Sequence, residues 1–131
     1  MFQQKVQEFH DAFKIKSPDH ATLFPLSEKN KDLHALRVNL IQEELDELKE
    51  ALSENDIVEA ADALGDLLYV VYGAACCFGL DMEPIFNEIH RSNMSKLENG
   101  KPIYRHDGKV LKGQNYTPPN LEPIVKEQTN V

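Results

Sequence analysis

The residues of this chain best suited to chemistry are carboxylates set at helical spacing. Leu33, Leu36 and Leu40 form an apolar stripe whose continuation by four and three residues lands on Glu44 and Glu47, then returns to Ala51. Two acids thus extend a face that otherwise seeks a core. Glu43 stands four residues before Glu47, so the run Glu43-Glu44-Leu45-Asp46-Glu47 aims three carboxylates at roughly one quadrant of a helix, with Asp46 and Glu50 turned elsewhere. The segment Glu59-Ala60-Ala61-Asp62-Ala63-Leu64-Gly65-Asp66-Leu67-Leu68 repeats the pattern, its acids spaced by three and four among alanine and leucine. Glutamates so placed destabilise an isolated helix by about a few tenths of a kcal/mol per pair. A carboxylate cut off from water must be paired, protonated or metal-bound. Hard divalent cations such as Mg²⁺ take several oxygen ligands, which two antiparallel helices joined by a short turn can supply. Asp46, Glu50 and Asp56 read more simply as a solvated face, with Lys29 and Lys49 as surface charges among them. Glu59 has two readings, a ligand or the last residue of a capping box Asp56-Ile57-Val58-Glu59.

Positive charge gathers later, in His90-Arg91-Ser92-Asn93-Met94-Ser95-Lys96 and then at Lys101, Arg105, Lys109 and Lys112. Cations beside a metal-holding acidic patch suit a polyphosphate, although Arg105 and Lys109 read more simply as solvated charges. His10, His20, His34, His90 and His106 form no pair at metal-ligand spacing and read as structural or surface residues. Cys76 and Cys77 are the only cysteines. Adjacent side chains on a helix diverge by about 100°, a poor geometry for a disulfide, so both read as buried reduced thiols.

Helices must position these groups. Phe2, Val6, Phe9 and Phe13 share one face and predict a first helix over 2–13. Pro18 and Pro25 punctuate the following loop, Asn30 or Asp32 can cap a second helix over 31–53, and its apolar face broadens through Ile41, Leu45, Leu48 and Leu52. Asn55-Asp56 breaks the chain before a third helix, 57–78, which should be the most buried and shows more apolar surface than one copy readily covers. Gly79 ends it, and Pro84 opens a fourth helix through Asn93 with Ile85, Phe86 and Ile89 inward. Ile103-Tyr104 and Val110-Leu111 flank His106-Asp107-Gly108 as a small hairpin, and Pro118-Pro119 begins an extended tail. The expectation is all-α: a four-helix bundle with a short C-terminal hairpin and tail. At 131 residues one domain is favoured, divided into an N-terminal helix and loop (1–30), a catalytic helical core (31–96) and the hairpin with tail (97–131).

A formal charge of -8 argues against broad electrostatic binding to nucleic acid or anionic membrane. No apolar run stands out near the roughly 18 residues a bilayer span needs. Met1-Phe2-Gln3-Gln4-Lys5 does not read as a secretory signal, which makes the cytoplasm the default compartment.

With these residues in place, the stretch from about Asp32 to Lys112 resembles the all-α nucleoside triphosphate pyrophosphohydrolases, the MazG-like and phosphoribosyl-ATP pyrophosphohydrolase-like superfamily. Its Glu-Glu-x-x-Glu run stands intact as Glu43-Glu44-Leu45-Asp46-Glu47, whereas its later Glu-x-x-Asp is altered. Placing Asp66 at the family aspartate puts Ala63 where the glutamate is usual and leaves Asp62, one turn earlier, as substitute; reading Glu59-Ala60-Ala61-Asp62 as the motif instead leaves Asp66 as an extra acid, and the first register is preferred for the residues that follow Asp66. Asp66 to Gly73, His90 to Lys96 and Asp107 to Lys112 are most similar to the dUTPase-like branch. The resemblance implies Mg²⁺, with Mn²⁺ able to substitute, held by Glu43, Glu44, Glu47, Asp62 and Asp66. It implies Glu44 and Glu47 as the catalytic carboxylates, and Tyr69, Arg91, Asn93, Lys96 and Lys112 around a nucleoside triphosphate. It further implies a homodimer or dimer of dimers that cleaves between the α and β phosphorus, with phosphoribosyl-ATP as the alternative substrate type. Two readings compete: a di-iron bundle, which needs Glu-x-x-His where this chain has only Glu88-Ile89-His90, and a non-catalytic helical module binding a divalent metal or nucleotide.

Overall fold

The computed structural model describes residues 1–25 and 30–130, and the side chains among them apart from residues 30 and 31. The elements run α1 (Phe2–Ala12), α2 (Asn30–Ser53), α3 (Ile57–Cys77), α4 (Met82–Met94), β1 (Ile103–Tyr104), β2 (Val110–Leu111) and α5 (Glu122–Thr129). The fold is all-α with one two-stranded ribbon, as expected. The Pro-rich tail departs from expectation by ending in α5, where Pro123 sits in the first turn and its missing N–H costs no helical bond. A cap at Asn30 and the surface role of Lys29 fall outside the described residues.

Two compact units divide the chain, Met1–Asp81 with the end of α5 from Gln128, and Met82–Glu127. In the first, α3 packs most extensively against α2 and also against α1. Asn55, at φ 56°, makes the tight link between α2 and α3, and the Asp56 carboxylate accepts the Glu59 N–H at 3.1 Å to start α3. The Asp56 N–H donates to the Ala51 carbonyl at 3.0 Å, so the cap uses Asp56 and leaves the Glu59 side chain out of it. Gly79 ends α3 at φ 67°, and a Cβ there would fall 2.2 Å from the His20 carbonyl oxygen, so only glycine fits.

The core is made of small side chains. Ala51, Ala60, Ala63, Ala75, Cys76 and Cys77 are buried, both cysteines as free thiols. The large apolar residues are distributed differently from the periodicity. On α1, Val6 and His10 are buried while Phe2, Phe9 and Phe13 are exposed, a face rotated from the aromatic stripe. On α2, Arg37 and Ala51 take the buried positions and Leu36 and Leu52 are exposed. On α4, Ile85 is buried, but Phe86 is 65% exposed, against the expected inward placement. α3 carries the most buried residues of the described helices, yet Ile57, Val58, Leu64 and Leu68 remain exposed. By length and composition alone α3 could cross a membrane, which corrects the reading that no segment approaches that length; core helices of soluble proteins pass the same test.

The second unit is held by polar bonds. Ser92, 2% exposed, donates to the Thr117 carbonyl at 2.8 Å, and Ser95 accepts the Thr117 N–H at 2.9 Å. The expected hairpin is present and antiparallel, pairing Ile103 with Leu111 and Tyr104 with Val110, with Gly108 at φ 91° in its turn and Arg105 paired to Asp107.

Candidate metal centre

α2 and α3 run antiparallel, because Glu44 and Asp66 approach each other at one level while Arg37 meets Gly73 and the His34 ring meets Phe78 further along. Buried Ala51, Ala60 and Ala63 let the two helices lie close beside this level. One carboxylate oxygen each from Glu44, Glu47 and Asp66 lies within 4.8 Å of the other two. Glu44 and Asp66 are half-buried and Glu47 is exposed. Among the described residues no lysine or arginine pairs with any of the three. The Oε2 atom of Glu44 is buried with no hydrogen-bond partner among the described residues.

Burial, a hydrogen bond shared with Glu47 and the charges of Glu47, Asp66 and Asp62 all push the Glu44 carboxyl above its usual range. Burial, then the charges of Asp62 and Glu47, do the same to Asp66. The repulsion that raises both groups is of the kind a bound cation relieves. The residues fit a hard divalent ion: all donors are carboxylate oxygens, and one is a buried oxygen that lacks a partner.

The geometry therefore brings together Glu44, Glu47 and Asp66 from the expected metal set. Asp62, exposed and one turn before Asp66, contributes charge, whereas Glu43 is exposed outside the trio. Glu59 also lies outside it. Tyr69, on the same stripe of α3 as Asp66, packs edge-on against Phe9 with centroids 5.7 Å apart. Arg91, Asn93, Lys96 and Lys112 belong to the second unit. There Arg91 forks onto Glu88 at 2.7 and 2.9 Å and also bonds Thr117 Oγ1 and the Pro118 carbonyl. Asn93 is exposed, Lys96 is half-buried, and the Lys112 ammonium lies 4.7 Å from the centre of the Tyr116 ring. Sequence reasoning passed over Arg37, which is buried beside His10; its spacing of seven from Glu44 was the available signal.

A carboxylate trio across an antiparallel helical seam fits the all-α, MazG-like pyrophosphohydrolases that the sequence resembles. A family model described as phosphoribosyl-ATP pyrophosphohydrolase matches residues 6–93, more than half of the chain. The chain belongs to that family, whose members act on nucleotides and are typically dependent on a divalent metal. Among curated proteins, uncharacterized protein L479 of Acanthamoeba polyphaga mimivirus is 39% identical over 77 residues, covering 59% of this chain. The chain spans 28% of that relative's length.

Proposed function

We propose that this protein is a divalent-metal-dependent nucleoside triphosphate pyrophosphohydrolase that converts a (d)NTP and water to the (d)NMP and pyrophosphate. The observation that carries the reading is the Glu44, Glu47 and Asp66 trio with the partnerless Oε2 of Glu44. Glu44, Glu47 and Asp66, with Asp62 and Glu43 beside them, would hold Mg²⁺ or Mn²⁺. When bound, such an ion offsets triphosphate charge and acidifies a coordinated water. The chain's own contribution is proton handling and placement. Glu44 and Glu47 stand one turn apart with a carboxylate oxygen each within 4.8 Å, so the pair offers an oxygen that would take the proton of the attacking water. Tyr69, Arg91, Asn93, Lys96 and Lys112 are the residues proposed to hold the nucleotide.

Similarity to the dUTPase-like branch favours dUTP or another non-standard nucleotide, a house-cleaning role. The matched family favours a second reading, phosphoribosyl-ATP as substrate. The exposed Ile57, Val58, Leu64 and Leu68 of α3 support a homodimer or dimer of dimers, and two buried free thiols suit a cytoplasmic protein. The deciding experiment measures pyrophosphate release from the deoxynucleoside and ribonucleoside triphosphates and phosphoribosyl-ATP, with Mg²⁺, Mn²⁺ or EDTA. Metal-dependent release from a triphosphate is the expected result, and the best substrate separates the two readings. Tight nucleotide binding without release from any substrate would instead make the protein a binding module.

A further inference from the structure

Arg37 occupies a position that a surface arginine does not. It is 8% exposed, its Nε has no hydrogen-bond partner, and it makes no ion pair among the described residues. A guanidinium cannot shed its proton to escape burial. Its room comes from Gly73 across the seam, where an added Cβ would meet Arg37 Nη1 at 2.9 Å and His10 Nε2 at 3.4 Å. His10, from α1, is 3% exposed and its Nδ1 also lacks a partner. Burial, and then Arg37 itself, lower the His10 pKa, so its ring is neutral and offers one donor and one acceptor.

This pair lies on the seam that holds the carboxylates. On α3, Asp62, Asp66, Tyr69 and Gly73 follow one another by four, three and four residues, and on α2 Arg37 stands seven before Glu44. Seven residues are two helical turns, about 10 Å along the axis. One seam thus runs from an acidic end, past the half-exposed Tyr69 and Phe9 rings, to a buried cationic end. That order matches a nucleotide laid lengthwise: phosphates at the acids, a ring system at the aromatics, the far edge of a base at the guanidinium.

Resting on the proposed nucleotide hydrolysis, we infer that Arg37, seconded by His10, reads the base and selects one that presents a carbonyl acceptor. A guanidinium only donates, so it donates to the oxo edge of a 4-oxopyrimidine or 6-oxopurine and opposes the amino group that cytosine or adenine puts there. The neutral His10 ring can bond the adjacent base position without adding charge.

The test compares the wild-type chain with Arg37→Met, Arg37→Lys and Gly73→Ala, using the pairs dUTP with dCTP and dGTP with dATP. Arg37→Lys keeps the charge and loses the fork. Gly73→Ala displaces the flexible end of Arg37 and presses lightly on the His10 ring, so it perturbs the same pair without removing either side chain and protects the test if Arg37→Met folds poorly. The wild type should favour the oxo member of each pair. Both Arg37 variants should reduce that preference by roughly ten- to hundredfold, mainly through KM, and Gly73→Ala should fall between. In EDTA, calorimetry of dUMP against dCMP should show the same lost preference without any turnover. If no triphosphate is hydrolysed, the proposed activity fails while this binding arm still decides the role of Arg37. A wild type without oxo preference, or variants that weaken both members of a pair equally, would overturn the inference; the second outcome would mark Arg37 as a phosphate contact.

Discussion

Glu44 and Glu88 sit at the same local spacing from a titrating partner, three residues ahead of Glu47 and Arg91 respectively, and end in opposite electrostatic states. Glu44 faces two other carboxylates with one oxygen buried and partnerless, and its carboxyl is pushed up. Glu88 accepts two bonds from Arg91 and the Asn120 N–H at 2.6 Å, and is held down to about 2. A satisfied carboxylate is scaffolding: it ties residues 117–120 to α4. An unsatisfied one must be relieved by water, by a proton or by a cation, and a cation relieves all three carboxylates of the trio at once. The same contrast separates the two arginines, since Arg91 is fully engaged and the buried Nε of Arg37 has no partner.

The largest consequence is in turnover. Glu47→Gln and Asp66→Asn should each lower metal-dependent pyrophosphate release by about a hundredfold or more, because each removes an oxygen from a three-carboxylate set. Asp46→Asn, on the solvated face where Asp46 only accepts a bond from Gln42, should keep wild-type activity. Wild-type rates in both trio variants would remove the catalytic distinction between the two kinds of carboxylate.

Next in size is the response to metal. In EDTA the trio repels itself, so Asp66→Asn should melt at or above the wild-type temperature even though it is inactive. Mg²⁺ at a hundred times its Kd should then stabilise the wild type by about 2.7 kcal/mol and the variant by much less. Differential scanning calorimetry with and without Mg²⁺ reads both effects, and equal metal-induced shifts would place the cation elsewhere.

Much of this contrast was legible in the sequence. Acids continuing the Leu33, Leu36 and Leu40 stripe are an anomaly of periodicity, and the helix limits follow from Asp56 and Gly79, residues whose chemistry acts locally. What escaped depends on partners far along the chain. Arg37, between Leu36 and Val38, looks like a surface residue until Gly73 opens space opposite it. Phe86 shares the apparent apolar face of α4, yet Ser92 takes the buried position because its hydroxyl finds the Thr117 carbonyl. Hydrophobic spacing does not report a helix anchored by hydrogen bonds. Similarly, the aromatic stripe of α1 yields to Gln3, Val6 and His10, since Gln3 reaches the Leu80 carbonyl at 2.6 Å.

Binding should show a smaller difference. The Lys96 ammonium makes no ion pair among the described residues, whereas Arg91 is engaged by Glu88. Lys96→Ala should weaken a nonhydrolysable triphosphate analogue by about tenfold, as expected for a point charge toward phosphate. Metal affinity measured alone should not change. Unchanged analogue affinity would return Lys96 to the protein surface.

The finest comparison is the sign of the pH dependence. Glu44 and Asp66 have folded values above their unfolded ones, so the metal-free folded chain holds protons that the unfolded chain has released. Their contribution to stability therefore falls as pH rises from the ordinary carboxylate range through the raised values. Glu88 has the opposite sign. Its folded value of about 2 lies below the unfolded one, so its contribution is complete above the ordinary glutamate range and is lost as pH falls toward about 2. Urea midpoints in EDTA across pH 2 to 7 should thus change in two directions, each by a fraction of a proton because solvent screens these partly exposed groups. Asp66→Asn should flatten only the loss on the rising side, and Glu88→Gln only the loss on the acid side. If one substitution flattened both limbs, the two carboxylate sites would titrate as a single coupled system, and the division between a site awaiting a cation and one completed by arginine would not hold.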